Sequence, residues 1–219
     1  MKSHTMISML FAIYLVIGGC SGDNSGAESG QSDQVEMPDQ DHTAHGKMNM
    51  DSGEPADESI YHVNSSWKNR HGQQVQLDDL RGRVQVMAMV YTHCEHACPR
   101  ILADMQRIRD ALSAEVLNET RFVIVSIDPE RDTPRRLTQF ANENNLAEDQ
   151  WTLLNGNQGD VLELAALLGV RYKRISDTDF THSNMISVLT KEGEVAYQRK
   201  KLADQHTGIV RAIEQSASK

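Results

Sequence analysis

The sequence has no basic excess, few cysteines and no apolar run long enough to cross a bilayer. Its 219 residues carry 22 Lys and Arg against 31 Asp and Glu. Most of the acidic surplus lies in residues 21–59, whose net charge is −9, whereas residues 60–219 carry only −1. The larger part of the chain therefore lacks the basic surface that nucleic-acid binding requires, and we expect no nucleic-acid partner.

The longest apolar stretch, residues 6–17, falls well below the roughly 20 residues of a membrane-spanning helix. With Lys2 before it and the string I-G-G-C after it, this stretch has the form of an export signal. The string resembles the lipobox of bacterial lipoproteins, which predicts a signal peptide over residues 1–19 and lipidation at Cys20. The protein would then be tethered in a bacterial cell envelope, facing the periplasm or the exterior. A cleaved signal with an incidental cysteine and an uncleaved anchor are the alternatives.

Residues 20–59 are rich in Gly, Ser and acidic side chains and have almost no large apolar ones. Such a segment cannot bury enough surface to offset its ordering entropy, so we predict a disordered acidic linker. Its string D-H-T-A-H-G-K-M-N-M holds four potential metal ligands: His42, His45, Met48 and Met50. Copper accepts imidazole and thioether ligands in either oxidation state, which favours a copper-collecting arm. A polar tether with accidental His and Met residues is equally open.

Residues 60–219 suffice for one compact core. Apolar runs and turn residues predict strands at 73–77, 84–91, 122–127 and 151–154, and a hairpin of 186–190 with 194–198. Helices are predicted from Pro99, from Pro134 with Thr133 as N-cap, over 157–168 with Gly169 as C-cap, and from Thr207. This order predicts an α/β sandwich of the thioredoxin type, a single domain with a central mixed sheet flanked by helices. The order alone does not exclude other α/β folds.

Three segments carry the residues with chemistry. They are V-Y-T-H-C-E-H-A-C-P at 90–99, S-I-D-P-E-R-D-T-P at 126–134 and T-H-S-N-M-I-S-V-L at 181–189. With Cys20 assigned to lipidation, the remaining thiols are Cys94 and Cys98, four residues apart. In an exported protein such a pair forms a disulfide, a redox couple or a soft-metal site.

Together the three segments resemble the Sco/SenC family of copper-binding assembly factors for respiratory oxidases, and the resemblance covers residues 60–219. It implies a thioredoxin-like fold in which Cys94, Cys98 and His182 bind one copper ion. It also implies delivery of that copper to a respiratory copper enzyme, usually cytochrome c oxidase. The residue types agree, because two thiolates and an imidazole form a soft, low-coordinate set that suits Cu(I), and copper could be carried as Cu(I) or Cu(II).

The cysteine loop is expected to behave as a redox switch. A helix that begins at Pro99 would direct its positive end at the loop and favour thiolate at both Cys94 and Cys98. In an oxidising compartment the two sulfurs tend to form a disulfide, which has no thiolate to offer a metal. A working chaperone would therefore need a periplasmic thiol reductase as a partner.

Further residues near these ligands could contribute to the site. His93 and His96 are possible auxiliary ligands or a transfer relay. Asp128 follows a strand whose end faces the same edge as the cysteine loop and could tune the site electrostatically. Thr181 stands where many relatives have Asp, which puts in doubt any role of that acid in orienting the histidine. The remaining residues of interest have structural interpretations: Asp132 as a helix-start residue, Arg131 as a pairing partner, and Trp67 and Trp151 as core residues.

The main alternative is a thiol-disulfide oxidoreductase that reduces copper-site cysteines of a client, with Cys94 attacking and Cys98 resolving. The C-x-x-x-C spacing and the lack of any proline after Pro134 disfavour it, because thioredoxin-type reductants use C-x-x-C and a proline opposite the dithiol. Peroxidase chemistry is disfavoured because Thr92 lies two residues before Cys94 and not three. Copper buffering by the arm is a third possibility. A metallochaperone is the interpretation we prefer to an enzyme.

Overall fold

The computed structural model describes residues 59–94, 97–177, 179–200 and 205–219. The described strands are β1 Trp67–Asn69, β2 Gln74–Val75, β3 Val84–Val90, β4 Thr120–Ser126, β5 Trp151–Asn155, β6 Tyr172–Arg174, β7 Phe180–His182, β8 Ile186–Leu189 and β9 Val195–Arg199. The described α-helices are α1 Ala97–Asp110, α2 Ala114–Asn118, α3 Pro134–Glu143, α4 Gln158–Leu167 and α5 Thr207–Ala217. Two short 3-10 helices cover Ile60–His62 and Leu77–Leu80. The predicted signal peptide, Cys20, His96 and the ligands of the arm (His42, His45, Met48 and Met50) lie outside the described residues.

Seven strands form one mixed sheet in the order β2-β1-β5-β4-β3-β8-β9, and β6 pairs with β7 in a separate two-stranded sheet. Strand β4 runs parallel to β3 and β5, whereas β1 and β8 are antiparallel to their neighbours. All seven residues of β3 are buried, which explains why six of them are apolar and why the strand shows no alternation. The predicted central mixed sheet is confirmed.

The helices pack on this sheet. Helix α3 contacts β1 and β5, α1 contacts β3, and α5 contacts β3, β8 and β9. The start of α3 is as predicted, because Pro134 is its first residue and the Thr133 hydroxyl accepts a hydrogen bond from the backbone N–H of Arg136. Trp67 and Trp151 are fully buried, as predicted. None of the helices in the described part of the chain combines the length and apolarity needed to cross a bilayer.

Helix α1 begins earlier than predicted. It already includes Ala97 and Cys98, so Pro99 is not its first residue. At the other end it stops at Asp110, and Ala111 after it is exposed. Its buried face includes the acidic Asp104, which is 3% exposed. Strands β1, β6 and β7 and the short helix α2 were not predicted, because segments of three to five residues carry too few positions to show a periodicity.

Gly193, in the turn between β8 and β9, provides a test of how tightly this fold is packed. Its φ is +85°, and an added Cβ would lie 2.6 Å from the Tyr61 ring. We expect Gly193→Ala to lower the free energy of unfolding by about 3 kcal/mol, through left-handed backbone strain and overpacking. Gly82→Ala is the matched control, because its φ is +88° but nothing lies within 4 Å of the added Cβ; its loss should be about 1 kcal/mol. Urea unfolding measures both, and equal losses would contradict the packing argument.

Candidate metal centre

The two cysteines lie where the central parallel strands end. Cys94 follows β3 by four residues, and Cys98 lies in the first turn of α1. This edge of the sheet, beyond the carboxyl ends of parallel strands, is where open α/β folds bind ligands. The sulfurs are not bonded to each other. Cys98 is 2% exposed, whereas Cys94 is partly exposed, and the backbone N–H of Cys98 donates to the Cys94 Sγ at 3.4 Å. The start of α1 therefore directs an N–H group at the more accessible sulfur.

The histidine reaches this edge from a different element. His182 is the last residue of β7, and its Nε2 lies 3.4 Å from the Cys98 Sγ. Its Nδ1 lies 3.1 Å from the backbone carbonyl oxygen of Ser183. Because a carbonyl can only accept, Nδ1 carries the ring hydrogen and Nε2 presents its lone pair to the Cys98 thiol. The backbone thus fixes the tautomer that a metal ligand needs.

Folding brings the three sequence-predicted ligands together. One ligand atom each from Cys94, Cys98 and His182 lies within 4.8 Å of the other two. An ion about 2.3 Å from each of two ligands can span at most about 4.6 Å between them, so a small adjustment suffices to bind one ion. Among the described residues no other Cys, His or carboxylate joins this group. The donor set is two sulfurs and one nitrogen.

Burial governs the protonation of Cys98 and His182. It raises the pKa of the Cys98 thiol and lowers the pKa of the His182 imidazole. Cys98 therefore departs from the expectation that the helix end favours thiolate at both sulfurs, because burial of this 2% exposed sulfur disfavours its charged form. In the metal-free protein the Cys98 thiol donates its hydrogen to a neutral imidazole. That proton occupies the position where a metal would bind both residues.

A cleft of about 650 Å³ opens beside the ligands. Its lining includes Cys94, His182, Tyr91 and Asp179. The Tyr91 hydroxyl donates to the Asp179 carboxylate at 2.7 Å, and the Tyr91 ring lies edge-on to the imidazole, with 5.9 Å between the ring centroids. Burial, and then the hydrogen bond to Asp179, raise the pKa of Tyr91. A partner molecule can therefore approach the ligands from this side.

Thr181, which stands in place of an acid, is exposed, and the orienting contact to the imidazole comes from the backbone of Ser183. Sequence reasoning missed Ser183, Tyr91 and Asp179. A backbone carbonyl leaves no trace in the sequence. Tyr91 was assigned to the apolar run of β3, although a tyrosine at the end of a buried strand is a signal that its hydroxyl has a polar partner.

The two acids after β4 lie beside His93 and not within the sulfur-containing group. Asp128 is fully buried, forms an ion pair with Arg131 and lies 3.6 Å from the Arg174 guanidinium. The predicted pairing of Arg131 is confirmed. One ligand atom each from His93, Asp128 and Asp132 lies within 4.8 Å of the other two. An electrostatic effect of Asp128 on the copper ligands stays a prediction.

Asp132 is more than a helix-start residue. It is fully buried and accepts hydrogen bonds from the Thr92 N–H at 3.0 Å, the Thr92 hydroxyl at 2.6 Å and the Ser126 hydroxyl at 2.6 Å. Its carboxylate therefore holds the backbone two residues before Cys94. The sequence contained a signal for this role, because Thr133 already caps α3 and leaves the adjacent acid without a capping function.

Comparisons with known proteins agree with the fold and the site. The SCO1/SenC family model matches residues 56–218. The SCO1 protein homolog of Bacillus subtilis is 29% identical over 133 residues, which are 59% of this chain and 68% of that protein. Other curated relatives are matched over smaller shares of their own lengths, down to 52%.

Solved structures share the fold. A SCO1/SenC family lipoprotein from Bacillus anthracis matches with a TM-score of 0.66 at 21% identity, covering 75% of this chain and 98% of that one. BsSco, described as a member of the Sco family of cytochrome c oxidase assembly proteins with a disulfide switch, matches with a TM-score of 0.63 at 25% identity, covering 74% and 96%. Arabidopsis thaliana ScoI with copper bound matches with a TM-score of 0.60 at 23% identity, covering 69% and 96%. The thioredoxin-like fold class is confirmed.

Proposed function

Because this chain belongs to the SCO1/SenC family, we propose that it is a copper chaperone that holds one copper ion through Cys94, Cys98 and His182 and delivers it to a respiratory copper enzyme. The observation that carries the proposal is the meeting of these donors, drawn from two distant parts of the chain, within 4.8 Å of one another. The ScoI structure with copper bound supports copper as the cargo. Cytochrome c oxidase is the proposed client, supported by the description of BsSco.

The chemistry of the donors favours copper over other ions. Thiolate and imidazole select soft or borderline metals, and calcium and magnesium require oxygen ligands. Structural zinc takes four protein ligands, whereas this group supplies three. Two of the three donors, Cys94 and His182, line an open cleft, which suits an ion that has to leave again. The set can hold Cu(I), and the imidazole also suits Cu(II).

Copper binding depends on the redox state of Cys94 and Cys98. Oxidation of Cys94 and Cys98 to a disulfide releases two electrons and two protons and removes both thiolates, so the oxidised protein should bind no tight copper. A periplasmic thiol reductase supplies the two electrons and two protons that restore the dithiol. The disulfide switch in the description of BsSco is consistent with this dependence.

The second candidate function is reduction of copper-site cysteines in the client. It is supported by the partial exposure of Cys94 in the cleft and by the N–H that Cys98 donates to the Cys94 sulfur, since a helix N-terminus stabilises an attacking thiolate. Against it stands His182, whose Nε2 lies 3.4 Å from the resolving sulfur. A metal ligand explains that placement better than disulfide exchange does.

Tethering and copper collection belong to the same proposal. Lipidation of Cys20 would hold the protein at the envelope, residues 20–59 would act as the linker, and His42, His45, Met48 and Met50 would collect copper; His96 is a possible auxiliary ligand. The Bacillus anthracis neighbour is described as a lipoprotein, which supports the tether. Mass spectrometry of the mature protein tests it, since a chain that starts before Cys20 excludes lipidation.

X-ray absorption on the copper-loaded protein tests the metal site directly. The proposal requires two sulfur ligands and at least one nitrogen around a single copper. A first shell with oxygen and nitrogen ligands only would overturn it.

Copper affinity should depend on pH in a direction fixed by the site. The pKa of Cys98 is raised, so copper must displace a thiol proton, whereas the pKa of His182 is lowered and the ring is already neutral at pH 7. Apparent affinity should therefore rise with pH, by about a factor of ten per pH unit for each proton displaced. Competition against a Cu(I) chelator between about pH 6 and 8 measures the slope. Constant affinity over this range would contradict the assignment of Cys98 as a protonated ligand.

A further inference from the structure

His93 lies beside the proposed site and presents a second imidazole to the same cleft. It directly precedes Cys94, lines the cleft together with His182, and its side chain is 41% exposed. Its Nδ1 lies 3.4 Å from the Asp132 carboxylate and 3.3 Å from the Thr92 hydroxyl oxygen. One ring nitrogen therefore faces two oxygens of a buried hydrogen-bond network.

The hydrogens of that network determine the tautomer of His93. Asp132 accepts hydrogen bonds from three N–H or O–H groups and acts only as an acceptor. The Thr92 hydroxyl gives its hydrogen to Asp132 at 2.6 Å and accepts from the Arg136 Nε at 2.9 Å, so it too acts as an acceptor toward the ring. With acceptors on both sides, the His93 Nδ1 must carry the hydrogen. In the neutral ring Nε2 then has the free lone pair.

This is the carboxylate–histidine arrangement that prepares an imidazole to bind a metal through its other nitrogen. It parallels His182, whose Nδ1 is fixed by a carbonyl oxygen and whose Nε2 faces Cys98. The supporting carboxylate of Asp132 is fully buried and held by its own hydrogen bonds. The ring is therefore fixed in orientation although it is partly exposed.

A closed cation site between His93, Asp128 and Asp132 is less consistent with the charges. Asp128 is paired with Arg131 and lies 3.6 Å from the Arg174 guanidinium. A cation held between the two carboxylates would lie close to these two positive groups. The free donor of this cluster is thus the outer nitrogen of His93.

We propose that His93 is a transit ligand, which binds copper through Nε2 while the ion passes between the Cys94–Cys98–His182 site and a partner, and that Asp132 is the positioning residue that holds the hydrogen of the neutral ring on Nδ1. The inference rests on the proposed function, because it takes copper as the cargo of the neighbouring site. The step is a ligand exchange: a nitrogen–copper bond forms as one bond to the primary ligands breaks. The oxidation state of copper does not change, and no proton is transferred at Nε2.

The test measures copper release and copper affinity separately. The full chain is loaded with one Cu(I) and mixed with excess bicinchoninate, and transfer to this chelator is followed by stopped-flow absorbance. We expect His93→Ala to slow transfer by about tenfold while the equilibrium affinity changes by less than about threefold. The matched control is His71→Ala, which removes an exposed histidine that also pairs with a carboxylate, that of Glu148. It should leave both quantities unchanged.

Asp132→Asn tests the positioning role with a readout that simple destabilisation would not change. In the wild type, long-range ¹H–¹⁵N NMR should show the hydrogen of neutral His93 on Nδ1, and in the variant the population should shift toward Nε2–H. Copper transfer to the chelator should also be slower in Asp132→Asn. Asp128→Asn should slow this transfer less than His93→Ala does. An unchanged rate in His93→Ala, an Nε2–H tautomer in the wild type, or an equal loss in Asp128→Asn would each overturn the proposal. Failure of the wild type to bind one copper would instead refute the proposed function itself.

Discussion

Replacing His182 with alanine is expected to lower copper affinity by more than about 100-fold while thiol-disulfide exchange at Cys94 and Cys98 continues. Loss of a partner that merely orients a ligand costs up to about 100-fold in metal affinity, so loss of the ligand itself should cost more. The imidazole supplies one of three donors and contacts Cys98 at 3.4 Å. Competition against a Cu(I) chelator measures the affinity, and reaction with a disulfide reagent measures the exchange.

The matched control for this substitution is the adjacent Thr181→Ala, which removes an exposed side chain from the same strand. It should leave copper affinity unchanged, because the imidazole is oriented by the Ser183 carbonyl. Cys98→Ser should abolish tight binding, since it removes the buried sulfur. If His182→Ala kept wild-type affinity and lost disulfide exchange, the protein would be a redox enzyme and not a metallochaperone.

Arg199→Met is expected to lower the free energy of unfolding by about 3–5 kcal/mol, which is the usual destabilisation when one partner of a buried ion pair is removed. The Arg199 guanidinium donates to the Asp104 carboxylate at 2.7 Å, and the two side chains are 9% and 5% exposed. The pair connects β9 to α1, the helix that carries Cys98. Without the arginine, the one ion pair that Asp104 keeps among the described residues is with Arg107, whose side chain is 62% exposed. Urea unfolding of the metal-free, reduced protein measures the loss.

The double variant Arg199→Met with Asp104→Leu is the control. It removes both charges, and well-packed apolar replacements of a buried pair are often neutral or stabilising, so most of the lost stability should return. Asp78→Ala, which breaks an ion pair between half-exposed side chains, should change stability by less than about 1 kcal/mol. A double variant as unstable as the single one would show that Arg199 contributes through packing and not through charge.

The sequence was informative wherever a pattern extended over a whole element. The apolar-rich strand β3 and the Thr133-Pro134 start of α3 appear in the structure where they were predicted. The three-residue strands β6 and β7 were not predicted, although β7 carries the proposed histidine ligand. Their hairpin is defined by pairing with each other and not by any local periodicity.

The candidate site, too, was predicted only in part. Cys94, Cys98 and His182 were predicted from three motifs and from the family that these motifs resemble, because the residue types are chemically distinctive. Their surroundings depend on tertiary contacts that no short motif encodes. Asp132 resembled an ordinary helix-start acid until the fold placed it against Thr92, and the protonation of Cys98 follows from its burial, which spacing does not reveal.

Because the proposed ligands are far apart in the sequence, bound copper should stabilise the folded protein. A disulfide between Cys94 and Cys98 would close a loop of only four residues, whereas an ion shared by Cys98 and His182 would cross-link positions 84 residues apart. The lost chain entropy raises the free energy of the unfolded state by about 4.5 kcal/mol for the 84-residue loop and by about 2 kcal/mol for the four-residue loop. Copper binding would therefore stabilise the domain more than oxidation does, and the thermal stability of the protein would show whether copper is bound.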